Sequence, residues 1–403
     1  MWILTFLFLA TTAIIGWTLF LFLIYNFIAS LLKSRQETVL PAEWPEVTFI
    51  IPTYNEADQI LDKLENTRAL DYPADKLSVI IADGKSTDDT IKRLQDQLKA
   101  DERISIEICP QGGKINQLNH VLNSVNTPIV VNSDADARLE PDALKWLVAE
   151  FQDEETWVAG AFCKPESGLK IEQYIWEGQN KNRLMESDAR TASIVVAPCY
   201  GFRRELLTQF PDDVVADDIY VAFLANTIGK RTAYSRKAHC TEVRVPETLK
   251  DFLPQKFRKS NAYLRESLRF VYRLPEMDMY GKVMHVTRVV QQLLLPWMVL
   301  SWVLIAAALL TLNIGTNEPR YDLVIFGAAT LFTLLILTST AFALIEVPGG
   351  TQRFSIITVV NGYILLNLIL IVTAISYPFF KQGSAYKRLA GATPAPVAPD
   401  TAS

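Results

Sequence analysis

No Gly-x-Gly-x-x-Gly turn follows the first β-branched run of this sequence, and no Gly-x-x-x-x-Gly-Lys-Ser segment exists, so two common backbone cradles for phosphate are excluded. Histidine is scarce, with 3 in 403 residues. The four cysteines, Cys109, Cys163, Cys199 and Cys240, are far apart without metal-ligand spacing. They read as reduced thiols of no catalytic role. A basic excess is also missing: the formal net charge is −5, which does not provide the positive footprint that nucleic acid requires. Charge disappears altogether from Trp2 to Leu32. That run exceeds the roughly 20 residues needed to cross a bilayer core as helix. It lacks the basic start, short apolar core and small-residue cleavage site of a signal peptide, and therefore reads as a membrane helix.

Three further apolar runs follow late in the chain, at Val289 to Ile314, Leu323 to Val347 and Ile356 to Phe380. Lys33 and Arg35 after the first helix, and basic residues up to Arg288, put the intervening polar domain in the cytoplasm by the positive-inside rule. The side of the tail stays open. If all three late runs span, the tail lies outside, whereas Lys381, Lys387 and Arg388 favour the cytoplasmic side. Either one run is re-entrant or interfacial, with Val289 to Ile314 favoured for its Gln291, Gln292 and Pro296, or the tail charges are tolerated. The expected organisation is an N-terminal membrane helix (1–32), a catalytic domain (33–247), a basic amphipathic interfacial segment (248–288), C-terminal membrane helices (289–380) and a disordered tail (381–403), whose end is rich in Ala, Pro and Thr.

Within the polar domain, Val47 to Pro52, Leu77 to Ala82, Ile104 to Ile108 and Pro128 to Ser133 are short runs rich in Val and Ile. Helical patterns separate the first three. Such alternation predicts an α/β fold with a mostly parallel, Rossmann-like sheet. Acidic segments collect at the strand ends: Pro52-Thr53-Tyr54-Asn55-Glu56, Asp83-Gly84-Lys85-Ser86-Thr87-Asp88 and Asp134-Ala135-Asp136, with Gly112-Gly113-Lys114 between the last two. Ligands of open α/β sheets bind outside those ends, and two carboxylates one residue apart suit a divalent cation carrying a diphosphate. Without a cation the pair would repel a diphosphate. Thr87-Asp88-Asp89-Thr90 opens the following helix, with a side-chain oxygen placed to cap it and acids in its first turn, which is a structural role for Asp88 and Asp89. Asp83, by contrast, is expected to face the crevice.

In this order the segments resemble the family 2 inverting glycosyltransferases of GT-A fold, particularly the membrane-anchored branch with ceramide glucosyltransferases and polysaccharide synthases. The similarity runs from about Val47 to Arg269. It implies a nucleoside diphosphate sugar donor contacted by Thr53, Tyr54, Glu56 and Asp83, with Lys114 in a Gly-Lys-x-x-x-Leu-Asn pattern. It implies Mg2+ or Mn2+ on Asp134 and Asp136, the second being the direct ligand. Asp218, in Ala216-Asp217-Asp218 where the family has Thr-Glu-Asp, inherits the role of catalytic base, while Asp217 is left to cap the helix. The Gln-x-x-Arg-Trp segment of processive members reads Gln255-Lys256-Phe257-Arg258-Lys259 here. Gln255 and Arg258 match, so the guanidinium can meet the diphosphate; Lys259 replaces the tryptophan, which argues against long-chain polymerisation.

Chemistry independently favours a base of this kind, since inversion requires an acceptor hydroxyl to lose its proton on the face opposite the leaving group. The leaving diphosphate then needs a metal and a guanidinium. Thr248 to Arg273 reads as a basic amphipathic element at anionic lipid. His239 reads as a packing histidine rather than a third metal ligand, and His120 and His285 as structural. Glu177, Gln179, Asn180 and Arg183 read as the wet face of an amphipathic helix from Leu169 to Ser187, and Ile194 to Ala197 as a strand before a glycine, Gly201, that permits close approach to sugar. The leading expectation is a multi-pass enzyme of the cell membrane that moves one sugar to a membrane-proximal, lipid-linked acceptor. A processive polysaccharide synthase with a channel is the alternative, and a catalytically silent scaffold the remote one.

Overall fold

The computed structural model describes residues 2–33, 37–97, 101–311 and 321–380; Arg35 and the tail from 381 lie outside the described residues. The chain begins with helix α1 (Trp2–Leu32). The domain then runs β1 (Val47–Thr53), α2 (Ile60–Arg68), β2 (Leu77–Asp83), α3 (Thr90–Gln97), β3 (Ile104–Ile108), α4 (Lys114–Leu122), β4 (Ile129–Ser133), β5 (Ala137–Leu139) and α5 (Ala143–Ala149). It continues with β6 (Thr156–Pro165), α6 (Lys170–Ala189), β7 (Cys199–Arg203), α7 (Asp217–Thr227), β8 (Arg231–Glu242) and α8 (Leu249–Arg269). Three apolar helices follow: α9 (Met279–Thr311), α10 (Tyr321–Leu344) and α11 (Ile356–Ser376). With α1, four helices are thus long and apolar enough to cross a membrane.

The eight strands form one sheet in the order β3-β2-β1-β4-β7-β6-β8-β5. The first four strands in this order are mutually parallel; β7 pairs antiparallel with both β4 and β6. β6 and β8 are parallel again. β1 and β4 are hydrophobic on both faces because helices cover each side: Phe49 and Ile51 point into one apolar layer, Ile50 and Val130 into the other. The β1–β4 ladder ends at Ile50↔Asn132, so Pro52, which has no N–H to give, interrupts nothing on that side. Strand order reverses between β1 and β4, which makes the carboxyl ends of these strands the switch-point crevice.

The sequence expectations need four local corrections. Asp88 caps the helix after Asp83 rather than standing in its first turn: its Oδ1 accepts from the N–H of Thr90, while Thr87 gives its N–H to Asn55 Oδ1. Ile194 to Ala197 is not a strand; pairing with β4 starts only at Cys199. The polar face of α6 is only partly wet: Gln179 is exposed and Glu177 half-buried. Asn180 and Arg183 are buried, Asn180 donating to Cys163 O at 2.7 Å and accepting from Tyr234 OH at 2.7 Å. Asp217 does not cap α7, where Ala216 holds the cap position without a side-chain bond.

Candidate active site

The end of β1 turns sharply through Asn55, at φ 55°. Asn55 and Glu56 give their N–H groups to Ser86 Oγ and Thr90 Oγ1, so the turns after β1 and β2 brace one another. Gln117 of α4 donates to both Thr53 O and Ala82 O at 2.7 Å, lacing the two strand ends together. Tyr54 is exposed at the rim. Asp83 departs from expectation: it is 1% exposed, and its oxygens accept from Ser86 N at 2.9 Å and Ser86 Oγ at 2.5 Å. The strand places Asp83 at the crevice edge, but the local turn closes over its carboxylate.

A cluster of carboxylates lies beyond the end of β4. Gly113, with φ 106°, allows the chain to enter α4 so that Lys114 is its first residue. The Lys114 ammonium lies 2.8 Å from Asp134 Oδ1 and 3.0 Å from Asp217 Oδ2. Tyr200, on β7 beside β4, donates its hydroxyl to Asp217 Oδ2 at 2.6 Å. Burial works against the Lys114 charge, but Asp134 and Asp217 more than reverse this and hold its pKa well above the ordinary lysine value. Asp218 is pushed up to about 7, by burial first and then by Asp217, with Lys114 opposing. Asp134 is raised by burial, with Asp136 and Asp217 adding to the shift against the pull of Lys114.

Asp136 stands just before β5. Its oxygen is 3.8 Å from the Arg244 guanidinium, which grips Glu56 at 3.1 and 2.6 Å. Glu242, opposite Ala137 on β8, has a buried Oε2 with no hydrogen-bond partner among the described residues. Burial, opposed by Lys259 at 3.6 Å and reinforced by Asp136, pushes the Glu242 carboxyl up to about 7. Lys259 also lies over the Trp176 ring, 5.6 Å from its centroid. Gln255 is buried with its Oε1 unpartnered, and Arg258 is half-buried one turn along α8.

Of the residues named from sequence, Lys114, Asp134 and Asp218 meet in one cluster, and Glu56 and Asp136 meet through Arg244. Gln255 and Arg258 approach on the helix that carries Lys259, while Thr53 and Asp83 serve the strand ends. Sequence reasoning missed Arg244, Tyr200, Gln117 and the ionic role of Asp217. Only Asp217 had a local signal, its place beside Asp218 at a helix start. His239 is a packing residue as expected, against Phe162 and bonded through Nε2 with Arg236 O.

No group of three or more metal-ligating side chains lies together among the described residues. The carboxylate oxygens still suit a hard divalent ion that takes one or two protein ligands and completes its shell from phosphate and water. Burial first, and then the neighbouring acids, raise the carboxyls of Asp134, Asp218 and Glu242; a cation would relieve the second of these effects.

The family profile "Glycosyl transferase family 2" matches residues 48–210. An N-acetylglucosaminyltransferase of Rhizobium sp. (strain N33) is 25% identical over 365 residues, covering 86% of this chain and 78% of that one. A poly-beta-1,6-N-acetyl-D-glucosamine synthase of Staphylococcus aureus (strain MSSA476) is 25% identical over 224 residues, 53% of each chain. Among solved structures, a mannosyltransferase from Pyrobaculum calidifontis in complex with GDP-Man and Mn2+ superposes with a TM-score of 0.67 at 25% identity, covering 93% of this chain and 99% of that one. With its carboxylates gathered at the switch point of a mixed, mostly parallel sheet, the chain is a glycosyltransferase, carrying a family 2 domain of GT-A fold and four apolar helices.

Proposed function

We propose that the protein moves a sugar from a nucleoside diphosphate donor, with inversion, to a membrane-proximal, lipid-linked acceptor at the cytoplasmic face of the cell membrane. The reading rests on one observation above all: Asp134 and Asp217 share the single ammonium of Lys114, and Asp218 beside them is left with a carboxyl near neutrality. A carboxylate of that basicity matches the demand of removing a proton from a hydroxyl at neutral pH. Asp218 is therefore the base, and Asp217 beside it is held by Tyr200 and Lys114.

Asp136, with Asp134, would hold Mg2+ or Mn2+, which supplies charge neutralisation for the leaving diphosphate. Thr53, Tyr54, Glu56 and Asp83 form the nucleotide side of the crevice, Asp83 through the turn it orders. Lys114, Gln255 and Arg258 stand on the diphosphate and acceptor side. Arg244 fixes Glu56 and Asp136 relative to one another. The domain limits that fit this division are 33–247 for catalysis and 248–288 for the interfacial segment.

Membranes containing the full chain, incubated with a panel of radiolabelled nucleotide sugars with and without divalent metal, test the reading. It expects a metal-dependent product in the organic extract. An aqueous polymer would replace the lipid acceptor with processive synthesis, and absence of any metal-dependent transfer would overturn the proposal.

A further inference from the structure

By length and composition α11 is a membrane-crossing helix: 21 residues without a charge, about 31 Å of helix, the thickness of a bilayer core. Its contacts follow another course. Phe354, just before the helix, packs against Tyr174 of α6 with ring centroids 5.5 Å apart. The backbone N–H of Gln352 donates to Glu177 of the same helix. One turn and a half into α11, Gly362 meets Tyr174 so closely that a Cβ there would lie 2.7 Å from the ring. In mid-helix, Ile369 shares a buried cluster with Ile175 and Phe252. Beyond the far end, Phe380 packs on Phe257, with centroids 5.9 Å apart, and its carbonyl accepts from Asn261 at 3.1 Å.

The beginning of α11 therefore touches α6, its middle touches both α6 and α8, and the residues just past its end touch α8. A crossing helix would carry its far end some 30 Å from the surface its near end touches. α8 cannot accompany it across. That helix carries Lys250, Asp251, Lys256, Arg258, Lys259, Arg265, Glu266 and Arg269, and ties itself to the catalytic domain through Lys256–Glu172 and Arg269–Asp213. Along α8, the stretch from Phe252 to Asn261 is about 14 Å. The stretch of α11 from Ile369 to Phe380 is about 16 Å and follows it side by side.

The outward side of α11 is a continuous apolar stripe of Ile357, Val360, Ile364, Leu368, Val372 and Phe379, all exposed. Interfacial helices ordinarily keep a polar face for water. Here α6 and α8 cover that face, so the sequence had no need to provide one.

We infer that α11 lies flat in the leaflet adjoining the catalytic domain, its apolar stripe against the acyl chains, so that the chain crosses the bilayer three times and its C terminus stays on the catalytic side. The contacts of α10 agree with this count: Phe342 O accepts from Lys181 of α6, which puts the end of α10 on the domain. The basic residues Lys381, Lys387 and Arg388 then need no tolerance on the outer side. The inference uses packing alone and does not depend on the reaction proposed above.

Depth measurement in reconstituted vesicles tests it. The four native cysteines are buried, so Ile357→Cys, Leu368→Cys and Phe379→Cys can be spin-labelled singly in the full chain. Similar immersion depths at all three sites are expected. A Leu368 label deeper than the other two by about 15 Å, half the core thickness, would overturn the inference. An epitope after Ser403 gives a second readout. Its exposure on the same side as one inserted between Gly349 and Gly350 is expected, and exposure on the opposite side would equally overturn the inference.

Discussion

The carboxylates along α6 and those beyond β4 differ in burial and in how their charges are balanced: Glu172 and Glu186 are fully buried, whereas Asp134, Asp136 and Asp218 are only partly so. On α6 the two fully buried acids each have a cation brought by a packed neighbour: Glu172 has Lys256 at 2.7 Å and also accepts from Trp176 Nε1 at 2.9 Å, and Glu186 has Arg288 and the N–H of Ser193. Beyond β4, one ammonium serves Asp134 and Asp217, and no described cation lies within ion-pair distance of Asp218. The first arrangement holds α6 against α8 and α9. The second leaves acidic groups that outnumber their cation, which on the proposed function is the arrangement that receives a divalent ion and a hydroxyl.

Mutation should separate the two regions. Replacing Asp218 by Asn is expected to lower kcat by about 10²–10⁴-fold while changing donor affinity by less than about threefold, as steady-state kinetics and equilibrium binding would report. Equal losses in both would remove the contrast. Glu172→Gln should do the reverse. It strands the Lys256 ammonium in a buried site and should cost about 3–5 kcal/mol of stability in urea unfolding, most of which Lys256→Met should restore. A Glu172→Gln protein as stable as the wild type would mean that α6 is no more committed to structure than the β4 cluster.

pH sharpens the same contrast. On the proposed function Asp218 works only when ionised, so kcat/KM should rise with pH up to a limb near 7 and then level off. Asp217→Asn removes a charge that opposes this ionisation and should move the limb to lower pH. On stability the sign is opposite: the folded carboxyl near 7 stands above its ordinary 3.8, so ionisation disfavours folding and stability should fall from about pH 4 to 7. Asp218→Asn should flatten that slope. The smallest effect belongs to an exposed pair, Lys145–Asp71 at 2.6 Å, where Lys145→Ala should change stability by no more than about 1 kcal/mol.

Strand-end acids were legible in the sequence because a β-branched run followed by Asp has a definite position in an α/β sheet. That logic located Asp134 and Asp136, whereas Asp218, in the first turn of a helix, was reached only through the family resemblance. It failed for Arg244 and Tyr200, whose partners come from sheet neighbours far apart in sequence: β7 lies antiparallel to β4, and the N–H of Val243 bonds to Asp136 O. For Asp83 the position was right and the environment wrong, since Ser86, three residues on, takes its carboxylate. The fate of α11 was illegible for another reason. Apolar composition is the same whether a helix crosses the bilayer or lies in it with its other face on protein, and only its neighbours distinguish the two.

The central claim is that Asp136 binds a divalent ion together with the donor diphosphate while Asp218 does not. Electron paramagnetic resonance of Mn2+ with the full chain, with and without a nucleoside diphosphate, measures this directly. Diphosphate should tighten Mn2+ binding in the wild type and in Asp218→Asn, and fail to do so in Asp136→Ala. Unchanged tightening in Asp136→Ala, or its loss in Asp218→Asn alone, would contradict the account.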